Sequence, residues 1–363
     1  MKKYLKSLLI IFVLAFATVS AVMGTRVLSE QRITDSDYSI VNPAIYGDIV
    51  VWQEESDANK WNIRGYNIRT GVYYDIATET FKEEEPSIYG DIVVWRQDPD
   101  DKQEWNVRGK NLRTGAYFDI PFDIPSGDPP VRRYWPAIYG DIVVWQEDPD
   151  GGGDWNIRGY NIRTGVYYDI ATDPFNQERP KIYGDIVVWQ EWPDDDQKWD
   201  IRGYNIRTGV YYDIATGQFK EEEPAIYGDI VVWRQDPNDV EEWNVRGKNL
   251  RTGVYFDIPP DDSVIRYKPA IYGDIVVWQE DPVGEDKWNI RGYNIRAGEF
   301  FDISTYPFKQ EDPKIYCNRV VWRDERNGNW DIYLANLDVV CETAKKSLPM
   351  NWIMKKFGLG NKE

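Results

Sequence analysis

The eight residues IYGDIVVW, at Ile45–Trp52, recur verbatim at five further places in the chain. These five copies begin at Ile88, Ile138, Ile182, Ile226 and Ile271. A seventh, altered copy reads IYCNRVVW at Ile315–Trp322, and successive copies lie 43 to 50 residues apart. A repeat of this length indicates an array of similar supersecondary units, each packed on the next.

The repeat that contains Ile45–Trp52 shows four short extended segments separated by turn residues. These segments are Pro43–Tyr46, Ile49–Trp52, Trp61–Ile68 and Val72–Ile76. Gly47-Asp48 places glycine first in a two-residue loop, as a type II′ hairpin requires, and Arg69-Thr70-Gly71 suits a three-residue hairpin. No segment shows helical spacing of apolar residues over about ten positions. Each repeat is therefore predicted to be a four-stranded antiparallel sheet.

The strand Ile49–Trp52 is apolar at every position, which indicates burial on both faces. Sheets stacked face to face around an axis bury their strands in this way, so the sequence predicts an all-β fold, a seven-bladed β-propeller. Its domain spans residues 22–341, and its blades begin near residues 43, 86, 136, 180, 224, 269 and 313. An open β-solenoid is the structural alternative.

The two ends of the repeat region predict how the ring closes. The seventh copy has three recognisable strands and no clear fourth. In other blades the end of the fourth strand lies a fixed distance before the next repeat. Arg32–Asp35 lies at that same distance before the first repeat. Segment Val27–Thr34 is thus predicted to be the outer strand of the seventh blade, which removes an exposed edge. In the alternative, Val339–Val340 forms that strand.

Two kinds of motif carry a family resemblance that covers residues 43–337. RDERNGNWDIYLANLD, at Arg323–Asp338, resembles the TolB-type propeller repeat. The other six copies, with P-x-IYGD-x-VVW and N-I-x-x-YN-x-x-TG, are similar to propeller repeats of secreted and cell-surface proteins of methanogenic archaea. The resemblance implies a propeller exposed at the cell surface, and these families supply no shared set of catalytic residues.

The N-terminus has the composition of a secretory leader. Residues 1–21 combine a basic start with an apolar run at Leu8–Ala17 and small residues before a cleavage site at Val19–Ala21. The sequence therefore predicts a signal peptide, with an uncleaved signal anchor as the alternative, and an extracellular or cell-surface location. Residues 342–363 form a basic tail, which docks as a short helix, touches a membrane surface or stays disordered.

The chain is strongly acidic, with a formal net charge of −18, or −21 without the three lysines of the leader. This charge argues against a nucleic-acid partner, because phosphate binding needs clustered lysine and arginine. Membrane contact is expected only through the leader or the tail. The two cysteines, Cys317 and Cys341, are expected to form a disulfide in an exported protein, with two buried thiols as the alternative.

The absence of histidine limits the possible chemistry. It excludes Ser-His-Asp and Cys-His nucleophile systems and histidine-ligated metals. No acidic residue stands out as half of a catalytic pair, because nearly every acidic position has counterparts in other blades. The sequence therefore predicts a protein that is not an enzyme. The alternative is a carbohydrate-active hydrolase or lyase that uses paired carboxylates on an acidic face.

That acidic face arises from the loops between the second and third strands. In blades one to six each of these loops carries a net charge of −2 to −4, and they emerge on the same side as the connections between blades. The protein is expected to need no cofactor. If it does bind Ca²⁺, closely spaced aspartates in two loops are the candidate ligands. These aspartates are Asp148, Asp150, Asp154, Asp194, Asp195 and Asp196.

Aromatic and basic residues on this face are the candidates for ligand binding, because aromatic rings stack on sugars beside hydrogen-bonding side chains. They are Tyr134, Trp135, Trp192, Tyr306, Arg132, Arg133, Trp155 and Trp199. The tryptophan that ends each IVVW strand is expected to pack between blades. The tyrosine of each IYGD is expected either to pack between blades or to form a ring around the central channel.

These observations together predict an exported, non-catalytic propeller that acts as a binding or structural module at the cell surface. Its partner is expected to be a protein or a cell-envelope glycan, and the chain is expected to be a monomer. The arginine of each R-G pair in the third strand is predicted to pair with a neighbouring carboxylate, because a single ligand site would not need six copies. These arginines are Arg64, Arg108, Arg158, Arg202, Arg246 and Arg291.

Overall fold

The computed structural model describes residues 24–56, 60–78, 81–99, 104–122, 131–193, 198–237, 243–260, 264–282 and 287–341. The predicted leader, the C-terminal tail and Asp194–Asp196 lie outside these ranges. Within them the chain forms seven four-stranded antiparallel sheets arranged as the blades of a propeller, which confirms the predicted fold. No helix in the described part of the chain is long and apolar enough to cross a membrane.

The strands follow one another in chain order within each blade. Strand β1 (Val27–Arg32) comes first and belongs to the seventh blade. Blade 1 consists of β2 (Ile40–Tyr46), β3 (Ile49–Glu55), β4 (Trp61–Asn67) and β5 (Val72–Ala77). Blade 2 consists of β6 (Lys82–Tyr89), β7 (Ile92–Asp98), β8 (Asn106–Asn111) and β9 (Tyr117–Asp119). Blade 3 consists of β10 (Arg132–Tyr139), β11 (Ile142–Asp148), β12 (Asn156–Asn161) and β13 (Val166–Ala171).

The same order continues through the second half of the chain. Blade 4 consists of β14 (Asn176–Tyr183), β15 (Ile186–Trp192), β16 (Asp200–Asn205) and β17 (Val210–Ala215). Blade 5 consists of β18 (Lys220–Tyr227), β19 (Ile230–Asp236), β20 (Asn244–Asn249) and β21 (Tyr255–Asp257). Blade 6 consists of β22 (Val264–Tyr272), β23 (Ile275–Pro282), β24 (Asn289–Asn294) and β25 (Glu299–Ser304). Blade 7 consists of β26 (Gln310–Tyr316), β27 (Arg319–Asp324) and β28 (Asp331–Leu337), with β1 outermost.

The pairing of β1 with β28 closes the ring and confirms the predicted N-terminal closure. Thr34 strengthens this closure, because its Oγ1 donates to Asp331 Oδ1 at 3.0 Å and accepts from the Ile332 amide at 2.9 Å. Arg32 also pairs with Asp331, whose carboxylate is fully buried. The alternative outer strand at Val339–Val340 is not formed.

The hydrophobic core lies between neighbouring blades. One cluster joins Val51, Ile63 and Ile76 of blade 1 to Val93 and Trp95 of blade 2, and similar clusters join the other blades. The tryptophan that ends each IVVW strand is almost completely buried in every blade, so the prediction that it packs between blades is correct. Burying a tryptophan side chain is among the largest single contributions to a core.

The repeated arginine of the third strand has the structural role expected from its six copies. In each of blades 1 to 6 its guanidinium pairs with the aspartate of the outermost strand. In blade 3, for example, Arg158 Nη1 lies 2.9 Å from Asp169 Oδ1. The pair joins the third strand to the fourth across each outer edge, so these arginines belong to the scaffold.

The seventh copy of the hairpin differs from the others because Cys317 takes the place of glycine. Glycine has φ near 60° at this position, and Cys317 adopts the same left-handed conformation with φ of 62°. Such a conformation costs a residue with a Cβ roughly 1–2 kcal/mol. Cys317 is disulfide-bonded to Cys341, which ties the end of the described chain to blade 7.

Two cysteine variants are expected to differ in stability even though both lose the disulfide. Cys341→Ser should lower the free energy of unfolding by about 3 kcal/mol, because the bond spans 24 residues. Cys317→Gly should cost about 1 kcal/mol less, since glycine suits the left-handed turn. Urea titrations of both variants, with the remaining cysteine kept reduced, measure the difference, and equal stabilities would contradict the explanation from backbone conformation.

Candidate functional site

The innermost strand of each blade lines a central channel with three layers of side chains. In blade 1 these are Asn42, Ala44 and Tyr46, and every second residue of the strand faces the same side. Their counterparts in the other blades produce three rings around the axis. The first ring lies at the mouth on the acidic face, and the third lies near the hairpins on the opposite face.

The third ring consists of the seven tyrosines of the repeated motif. Neighbouring tyrosine rings contact one another around the complete circle, with centroids 4.3 to 5.0 Å apart. The tyrosines therefore surround the channel, which is the second of the two positions expected for them. Burial and the neighbouring tyrosines raise the pKa of Tyr46 and Tyr139, so these phenols stay neutral. This ring narrows the channel at the end away from the acidic loops.

The first ring is the part of the repeat that varies most between blades. Its members stand immediately before the proline of each repeat, and all seven have positive φ between 51° and 57°. They are Asn42, Glu85, Trp135, Arg179, Glu223, Lys268 and Asp312. Each sits in a β-bulge, where the register of the first two strands shifts. The frame thus presents a different side chain to the channel mouth from every blade.

Six of the seven backbone amides of this ring donate to the neighbouring blade, in one of two ways. Where that blade has glutamine after its IVVW strand, the glutamine accepts the hydrogen bond, as Gln146 does from the Arg179 amide at 2.9 Å. Where the neighbouring blade has arginine at that position, a glutamate of the first ring accepts the hydrogen bond instead. Glu85 accepts from the Trp135 amide and Glu223 accepts from the Lys268 amide, each at 2.7 Å.

The three acidic members of the ring are also paired with arginines behind them. Arg323 Nε lies 3.0 Å from Asp312 Oδ2, and the equivalent arginines Arg96 and Arg234 lie 3.4 Å from Glu85 and Glu223. Lys268 donates a further hydrogen bond to Asp312. These carboxylates are therefore already engaged within the protein.

The second ring contains two lysines among small residues. Lys181 and Lys314 occupy the position that alanine or serine fills in the other five blades. The small residues are Ala44, Ser87, Ala137, Ala225 and Ala270. Lys314 Nζ donates to the Pro313 carbonyl at 3.3 Å. No hydrogen bond or ion pair engages the Lys181 ammonium within the described ranges, and nothing in the scaffold requires a cation at this position.

The surroundings of the two lysines shift the pKa values of the site. Burial, with the positive charges of Lys314 and Arg179, lowers the pKa of Lys181 to about 8, although Glu85 and Glu223 oppose the change. Burial also lowers the pKa of Lys314. Burial would raise the pKa of Asp312, but the nearby cations hold it below its ordinary value.

These rings enclose a cavity of about 270 Å³ at the channel mouth. Four cationic and three acidic side chains line it, together with Trp135 and the prolines that follow the first ring. The acids are already paired, whereas Lys181 is not, so the unsatisfied charge in the cavity is positive. Arg179 lies 5.2 Å from the Trp135 ring centre, which places a cation beside the one aromatic ring of the cavity lining.

Of the ligand-binding residues predicted from the sequence, Trp135 lines this cavity. Arg133 does not, because it is fully buried and its guanidinium binds Glu147 at 2.7 Å and the Ile120 carbonyl at 3.1 Å. Arg132 is half-buried, 4.0 Å from the buried carboxylate of Asp148.

The other predicted aromatic residues form contacts of their own. The Tyr134 ring stacks on the guanidinium of Arg96, 4.2 Å from its centre, and contacts Trp155 edge-on. Trp192 and Trp199 contact each other edge-on with centroids 5.2 Å apart. The Tyr306 ring lies 3.7 Å from the Arg326 guanidinium. The structure therefore does not bring the predicted set together at one site.

The candidate calcium ligands that fall in the described ranges do not form a common site either. Asp148 is completely buried, and Asp150 accepts a hydrogen bond from the Gly152 amide at 3.0 Å. Asp154 is exposed. Across the described residues, no group of three or more acidic or cysteine side chains is arranged to hold a metal ion.

The residues that sequence reasoning missed are the channel lysines and the ring before the proline. A signal for both was present in the sequence, because these two columns vary in an otherwise repeated frame. The position before proline carries seven residues of six types, and lysine interrupts a column of small residues twice.

Comparison with known proteins shows the fold. No protein-family model matches the chain, and no relative is found among curated proteins. Among solved structures, it resembles the propeller domain of the Trilobed protease from Pyrococcus furiosus, which has an open velcro topology (TM-score 0.63, 12% identity, 83% of this chain and 94% of that one). It also resembles an oligogalacturonate lyase from Vibrio parahaemolyticus (TM-score 0.61, 12% identity, 86% and 98%).

A third similar structure is the Pyrococcus horikoshii acylaminoacyl peptidase, with a TM-score of 0.61, 12% identity and 82% of this chain covered. The match covers only 51% of that peptidase. These structures are enzymes or parts of enzymes, and they contradict the prediction that the protein is not an enzyme. That prediction relied on the repetition of acidic positions from blade to blade. This repetition says nothing about the channel, because the residues that line the channel differ between blades.

Proposed function

We propose that the channel mouth binds a small anionic ligand, an acidic saccharide that carries a carboxylate. The observation that carries this proposal is Lys181, an ammonium without a partner in a cavity where the equivalent residue of four blades is alanine. A half-buried cation costs free energy unless an anion pairs with it, so its position is best explained by a ligand. Lys314 adds positive charge to the same cavity, as does Arg179, whose Nη1 also pairs with Glu223 Oε1 at 3.3 Å.

The shape and the remaining lining suit a sugar ring. A volume of about 270 Å³ is below the usual range for drug-sized ligands and matches a single ring. Trp135 supplies an aromatic face, and sugar rings stack on such faces while charged groups fix their orientation. Oligogalacturonate, named in the similar lyase, is an acidic saccharide and the first to test.

The wider setting proposed from the sequence is a TolB-like propeller of the type found at archaeal cell surfaces, exported and acting on a cell-envelope glycan. The disulfide between Cys317 and Cys341 supports an oxidising compartment. A hydrolase with two free carboxylates is the alternative. It is less well supported, because Glu85, Glu223 and Asp312 are each paired with arginine.

Binding is tested by calorimetric titration of the protein with galacturonate oligosaccharides and with galactose oligosaccharides of the same length. The acidic series should bind and the neutral series should not. Lys181→Ala should weaken binding at least tenfold, because a hydrogen bond to a charged group contributes about 1.5–3 kcal/mol. Lys181→Arg keeps the charge and should recover most of the affinity. Equal binding of both series would contradict the proposal.

The affinity for the acidic ligand is also expected to depend on pH. Lys181 carries its charge below its pKa of about 8 and loses it above. The affinity of the wild-type protein should therefore fall by roughly tenfold between pH 7 and pH 9.5. Lys181→Arg should show no such fall, since arginine stays protonated throughout. A flat profile for the wild-type protein would show that Lys181 does not contact the anion.

A further inference from the structure

The two channel lysines have different surroundings, and this difference suggests different roles. Burial lowers the pKa of Lys314, and the negative charge of the nearby Asp312 carboxylate opposes this change. Lys314 Nζ is also held by the Pro313 carbonyl. Lys181 has neither a carboxylate nor a carbonyl bonded to it among the described residues, and two cations disfavour its charge.

The charged groups around Lys181 can be named from every side. Lys314 and Arg179 disfavour its protonated form, as does burial, whereas Glu85 and Glu223 favour it. Both glutamates are shared with arginines and with backbone amides, which reduces their effect on the lysine. The result is an amine at Lys181 that is partly neutral near pH 7.5.

Access to Lys181 is provided by the small residues of its own ring. Its neighbours on either side in the ring are Ala137 and Ala225, so no bulky side chain flanks the amine within that layer. The tyrosine ring below narrows the channel, and ligand therefore approaches from the mouth past Trp135 and Arg179.

We propose that Lys181 is a nucleophile that forms an imine with a carbonyl-bearing acid, while Lys314 and Arg179 hold the carboxylate of the same ligand. Ligands of this class include small oxo acids and uronates, which carry an open-chain aldehyde at the reducing end. This inference rests on the proposed anion site and adds covalent capture to it. A neutral lysine amine in a desolvated pocket is the form in which lysine acts as a nucleophile.

The reaction balances without an oxidant or a reductant. The lone pair of the Lys181 nitrogen attacks the carbonyl carbon, and the carbonyl π electrons move to oxygen, which takes the proton released by the nitrogen. The nitrogen lone pair then expels the hydroxyl, which leaves as water with one proton from solvent at the channel mouth. The products are one protonated imine and one water molecule.

The test is reductive trapping with glyoxylate, the smallest oxo acid, and cyanoborohydride at pH 7, followed by intact-mass and peptide mapping. One adduct on Lys181 is expected, at a rate at least tenfold above that of surface lysines. Glycolaldehyde, a neutral carbonyl of similar size, should label Lys181 at least tenfold more slowly, because nothing holds it in place. Labelling spread over surface lysines, with Lys181 unmodified, would overturn the proposal.

Two variants separate failure of this inference from failure of the proposed function. Lys181→Arg should form no channel adduct but should still bind the galacturonate oligosaccharide in calorimetry. Lys314→Met should slow trapping of glyoxylate at least tenfold and leave the rate with glycolaldehyde nearly unchanged. If the oligosaccharide binds and Lys181 is never trapped, only the covalent step is wrong. If neither binding nor trapping occurs, the anion site itself is wrong.

Discussion

A chain that begins at Ser36, and therefore lacks β1, is expected to unfold at a temperature at least about 10 °C below that of a chain that begins at Gly24. Without β1, the outer edge of β28 has no strand partner, and Asp331 loses Thr34 and Arg32 while it stays buried. An uncompensated buried carboxylate and a lost strand ladder together cost about 5 kcal/mol or more. In a chain of this size 1 kcal/mol corresponds to roughly 2–4 °C.

A synthetic peptide of residues 24–36 provides the control for this experiment. Added in excess to the shortened protein, it should restore most of the lost thermal stability, because a ligand that binds only the folded state stabilises it. Thr34→Val in the full chain gives an intermediate measurement, since it removes only the side-chain hydrogen bonds to Asp331 and Ile332. Equal melting temperatures for the two chains would show that ring closure contributes nothing to stability.

The closure could be predicted from the sequence because it follows from repetition. Seven hairpin motifs set the number of blades, and the incomplete seventh copy required a strand from elsewhere. The burial of the tryptophans in the IVVW strands followed in the same way, because a run apolar on both faces fits only between two sheets. Features that every blade shares depend on local sequence, and the repeat displays that sequence many times.

The site could not be predicted in the same way, because it depends on which side chains the ring brings together. Trp135 and Lys181 are distant in sequence and share the channel only because consecutive blades turn around one axis. Tyr134 and Arg133 stand beside Trp135 in the chain and point elsewhere, one onto Arg96 and the other into the core. The positive φ before each proline, which separates these neighbours, has no signature in composition.

The prediction about catalysis failed for a related physical reason. It treated all acidic residues as equivalent because they recur, and it assigned the ligand site to the acidic loops. In the structure the carboxylates that face the channel are paired with arginines, and the unpaired charge there is a lysine. A strongly acidic chain thus contains a cavity lined by four cationic side chains, which net charge alone would not indicate.

Lys181→Ala is expected to raise the free energy of unfolding by about 2 kcal/mol at pH 7, even though it removes the anion site. The pKa of Lys181 is about 8 in the folded protein, whereas an unfolded chain would have the ordinary value of roughly 10.4. The protonated lysine therefore destabilises the folded state at every pH below 8. Alanine already fills this position in four other blades, so its substitution should not disturb packing.

The sign of the pH dependence makes this stability prediction specific. Between pH 8 and about 10.4 the folded protein has released its Lys181 proton and the unfolded chain has kept it, so wild-type stability rises with pH relative to the variant. The advantage of Lys181→Ala should be complete below pH 8 and absent above about pH 10.4. Ala225→Lys, which adds a lysine at the equivalent position of the next blade, should destabilise the protein over the same range.

Urea titrations at pH 7 and pH 10.5 measure both variants against the wild-type protein. If Lys181→Ala is less stable than the wild-type protein at pH 7, the lysine stabilises the channel and its presence needs no ligand. If Lys181→Ala is more stable than the wild-type protein and calorimetry shows that it no longer binds the ligand, then the protein retains Lys181 at the expense of stability. Residues of that kind are characteristic of functional sites, because selection on folding alone would have replaced them with the alanine of the neighbouring blades.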